Sequence, residues 1–145
     1  MRPNVPHSEL LPNAAPLSPY RRLLLYALRR MAAGGITDAH AAHAIFTGFG
    51  LGYRRPLILL RTLMAEISRV SAIRLTVAPC CCPRMTHDET LLLDAIAGAG
   101  LHAATVHEAL RGLLRVRTCL GVLASAQAVA AAFSDAGMPL AGDCK

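Results

Sequence analysis

Apolar residues recur at helical spacing in six separate stretches of this chain. From Ser18 to Ala33, one face of a helical wheel collects the large apolar side chains, while Arg22 and Arg29 lie opposite. Ser18 followed by Pro19 is typical of a helix start, and the two glycines after Ala33 are typical of a helix end. The pattern therefore predicts a first helix that is amphipathic and has a basic outer face.

Five further helices are predicted by start or stop signals of their own. They cover approximately residues 39–49, 56–72, 86–100, 105–115 and 118–136. Asp38 is suited to cap the second helix, and Thr86 with Glu89 has the spacing of a capping box for the fourth. Thr105 and Glu108 repeat that spacing for the fifth helix. Each helix thus has local support beyond its periodicity.

The elements together predict an all-α fold, a compact bundle of five to six helices with a flexible Pro-rich N-terminal arm. The arm covers residues 1–17, a single helical domain covers residues 18–140, and a flexible tail covers residues 141–145. Residues 73–78 alternate apolar and polar side chains, which is typical of a strand. Because no partner strand is evident, we interpret them as an extended connection.

The sixth helix differs from the others because it has large apolar residues on one side and small residues on the other. The large residues are Leu120, Leu123, Val129 and Phe133, and the small ones are Gly121, Ala124, Ser125, Ala128 and Ala132. Such a helix should be buried on both sides. It is predicted to be either the centre of the bundle or the interface of a homodimer.

The chain is basic, with a formal net charge of +6 in 145 residues, and fourteen of its fifteen basic residues are arginine. An Arg-rich face could bind nucleic acid or a protein partner. The candidate residues are Arg21, Arg22, Arg29, Arg30, Arg54 and Arg55. Against this interpretation, abundant Arg and Ala also result from GC-rich coding, and no helix-turn-helix pattern is clear.

Several classes of protein are disfavoured by the composition and by the motifs that are missing. Hydrophobic residues make up 54% of the chain and charged residues 17%, which is not the composition of a disordered protein. We find neither a secretory signal nor a continuous membrane-spanning run, so a cytoplasmic location is expected. The phosphate-binding loops and the common hydrolase signatures are absent, which makes an enzyme less favoured than a binding protein.

The least ordinary stretch is the run of three cysteines, Cys80 to Cys82, between Pro79 and Pro83. The prolines favour extended backbone, in which Cys80 and Cys82 face one way and Cys81 the other, packed inward. Neighbouring Cα atoms lie about 3.8 Å apart, below the usual disulfide minimum of about 4.4 Å, so a disulfide between adjacent cysteines is disfavoured.

A metal site is one hypothesis for this segment. Cys80 and Cys82 could share a metal ion with His87, which the first turn of the fourth helix brings near. Two thiolates and an imidazole suit Zn(II) or Cu(I). The local sequence lacks a fourth ligand, which water or Cys144 could supply. A labile bridge between Cys80 and Cys82 is an alternative, and so is simple packing of three small hydrophobic side chains. Cys119, within the sixth helix, is expected in the core.

Two stretches resemble one known family when they are taken together. They are Gly50-Leu-Gly-Tyr-Arg-Arg-Pro-Leu57 and Ala78-Pro-Cys-Cys-Cys-Pro-Arg-Met-Thr86. They are similar to a family of short, uncharacterised bacterial helical proteins that is classed as a domain of unknown function. The resemblance covers about residues 21–140 and implies no activity.

Three functional hypotheses follow from the sequence. The first is a small regulatory or adaptor protein that acts by protein–protein contact, with the cysteine segment as its site. The second is a nucleic-acid-binding protein that uses the Arg-rich face. The third is a metal- or redox-responsive protein that uses Cys80 and Cys82.

Overall fold

Six α-helices account for most of residues 11–142, the part of the chain that the structure, a computed structural model, describes. The helices are α1 (Pro19–Gly34), α2 (Ala39–Phe49), α3 (Arg54–Val70), α4 (His87–Gly98), α5 (Ala103–Leu114) and α6 (Leu120–Asp135). A short 3-10 turn, Gly50–Gly52, joins α2 to α3. The strands β1 (Asn13–Ala14) and β2 (Arg84–Met85) form one small antiparallel pair. The predicted all-α bundle is confirmed.

Three of the six helices described between residues 11 and 142 begin at capping side chains that the sequence identifies. The Ser18 hydroxyl accepts the backbone N–H of Tyr20 at 3.2 Å, and the Asp38 carboxylate accepts that of Ala41 at 2.9 Å. Thr86 and Glu89 form the complete capping box at the start of α4. Each cap satisfies N–H groups that have no partner inside the helix.

The predicted start of the fifth helix is wrong. α5 begins at Ala103, after His102, and has no side-chain cap, so Thr105 lies inside the first turn. The Thr105–Glu108 pair has the spacing of a capping box but not its position. In the sequence, this pair looks the same as Thr86 and Glu89. The box forms at Thr86 because the backbone there is extended, as an N-cap residue requires.

α6 lies at the centre of the core, where it packs most extensively against α3 and also contacts α4 and α5. Val122, Ala126, Val129 and Phe133 are fully buried. The prediction of burial on both sides holds only in part, because Leu120 is 63% exposed and Gly121 and Ala124 also face solvent. A homodimer through the small face of α6 stays a prediction.

The segment before α1 is more ordered than the prediction of a flexible arm up to residue 17 implies. Residues 1–10 lie outside the described residues, but Asn13 and Ala14 pair with β2. The Asn13 side-chain amide donates to the Thr90 hydroxyl at 2.9 Å, and the Ala15 N–H donates to the Pro83 carbonyl at 3.0 Å. The N-terminal segment is therefore anchored to the backbone that directly follows the three cysteines.

Two other predictions concern the rest of the backbone. Residues 73–78 are an extended connection without strand pairing, as predicted. Residues 143–145 of the predicted tail lie outside the described residues. Between residues 11 and 142, no helix combines the length and apolar character needed to cross a bilayer.

Candidate functional site: a thiol pair on a tight turn

Residues 79–82 form a tight turn rather than an extended segment, because the Cys82 N–H donates to the Pro79 carbonyl at 3.0 Å. The turn brings the sulfur atoms of Cys80 and Cys81 to 3.5 Å from each other. The predicted alternation, with Cys80 and Cys82 on one side and Cys81 packed inward, is wrong. Cys81 is exposed, and the adjacent residues Cys80 and Cys81 form what we call the thiol pair.

A buried arginine holds the end of this turn. Arg29, in α1, is 3% exposed, and its guanidinium donates to the carbonyl of Cys82 and to that of Arg84, both at 2.8 Å. The same guanidinium forms two hydrogen bonds with the Glu89 carboxylate, at 2.6 and 3.0 Å. Arg29 and Glu89 are therefore a buried ion pair that fixes the backbone immediately after the thiol pair.

Glu89 also connects the ion pair to the start of α4. Its carboxylate accepts the Thr86 N–H at 2.9 Å, which completes the capping box. The Thr86 hydroxyl in turn donates to the Thr76 carbonyl at 2.7 Å. One hydrogen-bonded network thus joins α1, the extended connection, the turn and α4, and it leaves little freedom to the backbone that carries the cysteines.

The charges around the thiol pair favour ionisation of one sulfur. The hydrogen bond from the Cys81 thiol and the nearby guanidinium of Arg30 lower the pKa of Cys80. The hydrogen bond with Cys80 raises the pKa of the Cys81 thiol. The arrangement makes Cys80 the more acidic of the two thiols.

The predicted metal site at Cys80, Cys82 and His87 is not assembled. Within residues 11–142, no three His, Cys, Asp or Glu side chains come together in a group that could hold a metal ion. His87 is exposed in the first turn of α4, and the tight turn pairs Cys80 with Cys81 instead of Cys82. Cys144, the suggested fourth ligand, lies outside the described residues.

Cys119 is buried as predicted, although it precedes α6 instead of lying within it. Its backbone N–H donates to the His107 imidazole at 3.2 Å. Burial raises the pKa of this thiol, which keeps it protonated and inert. Cys119 is therefore a natural internal control for the reactivity of the thiol pair.

The predicted Arg-rich face is not a single surface. Arg29 is buried, so its assignment to that face is wrong. The other five arginines differ in how they are engaged. Arg21 pairs with Asp94, Arg30 with Asp38 and Arg55 with Asp135, Arg22 donates to the Pro16 carbonyl, and Arg54 is exposed at the start of α3. This distribution offers weak support for nucleic-acid binding.

The fold and the turn together define the class, a small helical protein with two adjacent, ordered thiols. The sequence model of a family of unknown function, DUF6628, matches residues 7–136, and the chain belongs to that family. Neither a curated protein nor a solved structure matches the chain. Its function must therefore be inferred from its own residues.

The Arg30–Asp38 pair beside the thiols makes stability depend on pH. The Arg30 guanidinium and the Ala41 N–H lower the pKa of Asp38 below its ordinary value of about 4. The stabilisation is therefore complete above that ordinary value and is lost as the pH falls through the lowered one. In urea unfolding at pH values from about 6 to 2, we expect Asp38→Asn, which can still cap α2, to weaken the acid dependence. An unchanged dependence would contradict this role.

Proposed function

We propose that the protein is a small thiol-responsive regulatory protein in which Cys80 reacts with peroxide-class oxidants. The observation that carries the proposal is the 3.5 Å separation of the Cys80 and Cys81 sulfur atoms on a turn fixed by Arg29. Redox-sensing cysteines combine thiolate character, access to solvent and a neighbouring thiol. Cys80 is half-buried beside Arg30 and Cys81 is exposed, which meets these requirements.

The proposed chemistry needs only hydrogen peroxide and a low-molecular-weight thiol. The Cys80 thiolate attacks one peroxide oxygen, an S–O bond forms as the O–O bond breaks, and the departing hydroxide takes a proton from solvent. The Cys81 thiol then attacks the sulfenic sulfur of Cys80, so that an S–S bond forms and water leaves with the Cys81 proton. Two molecules of a glutathione-class thiol reduce the disulfide and become disulfide-linked themselves.

A disulfide between adjacent residues is strained, and strained disulfides are the easily reduced ones. That property suits a reversible signal and not a structural bridge. In the reducing cytoplasm of a bacterial cell, where we propose that the protein acts, the pair would be oxidised only transiently. Oxidation would change the shape of the exposed turn, and a protein partner that contacts the turn could read the change.

Alkylation kinetics test the reactivity of the thiol pair. With iodoacetamide near pH 7, mass spectrometry should find Cys80 modified faster than Cys82, and Cys119 modified only after unfolding. Cys81→Ala removes the hydrogen-bond donor and Arg30→Gln removes the cation, so each should slow the modification of Cys80 about threefold. Arg54→Gln removes an equal charge from an exposed site and should leave the rate unchanged.

Peroxide treatment tests the redox part of the proposal. Treatment of the wild type should abolish alkylation of Cys80, and dithiothreitol should restore it. Equal, variant-independent alkylation of Cys80 and Cys82 would overturn the assignment of the nucleophile. Alkylation that peroxide leaves intact would overturn the redox function.

A further inference from the structure

A cavity of about 790 Å³ lies between α1, α3, the extended connection and the start of α4. Its volume falls in the range of small-molecule sites. The helices contribute much of its apolar lining, namely Leu25, Leu28, Met31, Met64, Ile67 and Leu92. The two methionines can adapt to the shape of a bound molecule. The cavity does not include the thiol pair, and its use is independent of the redox chemistry.

The charged side chains that line the cavity differ in whether they have a hydrogen-bond or ion-pair partner. Glu89 is neutralised by Arg29, and the Asp88 carboxylate accepts the Thr76 N–H at 2.8 Å in the first turn of α4, where the helix dipole favours a negative charge. Arg74 is exposed at the same cavity and forms no ion pair or side-chain hydrogen bond with any residue from 11 to 142. Among the charged side chains that line this cavity, Arg74 is therefore the one that has no hydrogen-bond or ion-pair partner within residues 11–142.

From this arrangement we infer that the cavity binds an aliphatic monocarboxylate of medium chain length. The hydrocarbon chain packs against the apolar lining, where its removal from water supplies the driving force. The carboxylate lies at the mouth of the cavity and accepts hydrogen bonds from the guanidinium of Arg74, a group whose planar geometry matches a carboxylate. The net positive charge of the chain favours the approach of such an anion.

Three probes that differ only in the head group separate this ligand class from its alternatives. In isothermal titration calorimetry at low salt, with probe concentrations at which no micelles form, decanoate should bind more tightly than decan-1-ol by about fivefold. Decylamine should bind more weakly than decan-1-ol, since its charge faces Arg74. If decylamine binds best, Asp88 recognises the ligand, and the proposal is overturned.

Two variants and one control locate the binding. Arg74→Gln should reduce the affinity for decanoate to that for decan-1-ol, whereas Arg117→Gln, which removes the same charge at an exposed position before α6, should not. Met64→Trp narrows the cavity and should weaken binding of both probes to a similar extent. Circular dichroism and thermal unfolding establish that each variant is folded. No binding of decanoate to the wild type, or equal effects of the two arginine substitutions, would overturn the proposal.

Discussion

Replacing Arg29 with methionine should lower the free energy of unfolding by about 3 to 5 kcal/mol, the usual cost of removing one partner of a buried ion pair. Glu89, which is 5% exposed, would keep a buried negative charge without its cation. The carbonyls of Cys82 and Arg84 would lose their donors as well. Urea unfolding followed by circular dichroism measures the loss directly.

Arg22→Met is the matched control, because Arg22 lies on the same helix but is exposed. Its effect should stay within about 0.5 kcal/mol. Adding Glu89→Leu to Arg29→Met removes the isolated charge and should recover part of the lost stability. If Arg29→Met costs less than about 1 kcal/mol, the ion pair does not hold the turn in solution.

Local signals in the sequence were sufficient to predict the helices. Ser18, Asp38 and the Thr86–Glu89 box are capping groups whose partners lie within three residues along the chain, so their geometry follows from the sequence itself. Thr105 has the same kind of signal but lies inside α5, which begins two residues earlier without a side-chain cap. The residues around Thr105 contain no signal that distinguishes these two starts.

Burial of Arg29 depends on residues that are distant in the chain. A helical wheel places it opposite the apolar face of α1, and this predicts exposure. Residues 82–89 cover that part of the helix and supply one carboxylate and two carbonyls to the guanidinium. A contact between residues sixty positions apart leaves no periodic pattern in the sequence, although Glu89 was visible as a capping residue.

The conformation of the cysteine segment likewise could not be predicted from the sequence, although the contacts that determine it are closer in the chain. The flanking prolines are compatible with an extended segment or with a turn, since Pro83 constrains only Cys82 directly. The hydrogen bond from the Cys82 N–H to the Pro79 carbonyl closes the turn. That turn places the Cys80 sulfur next to that of Cys81. Residue types alone therefore identified the cysteine segment as a candidate site but not which two of its sulfur atoms lie close together.

Phe133→Ala should lower the free energy of unfolding by about 3 to 5 kcal/mol, because it removes a large, fully buried side chain from the core. Phe133 is 0% exposed, and its ring packs edge-to-face on Phe49 with centroids 4.9 Å apart. Alanine is the best helix former, so the loss measures packing and not helix propensity.

Leu120→Ala provides the control for that measurement. The periodicity of α6 assigns Leu120 and Phe133 to the same apolar face. Leu120 is nevertheless 63% exposed, because it is the first residue of the helix. In dilute protein its truncation should change the unfolding free energy by less than about 0.5 kcal/mol. A large loss that grows with protein concentration would mean that Leu120 is buried between two copies of the chain. A similar loss at every concentration would contradict the position of α6 in the bundle.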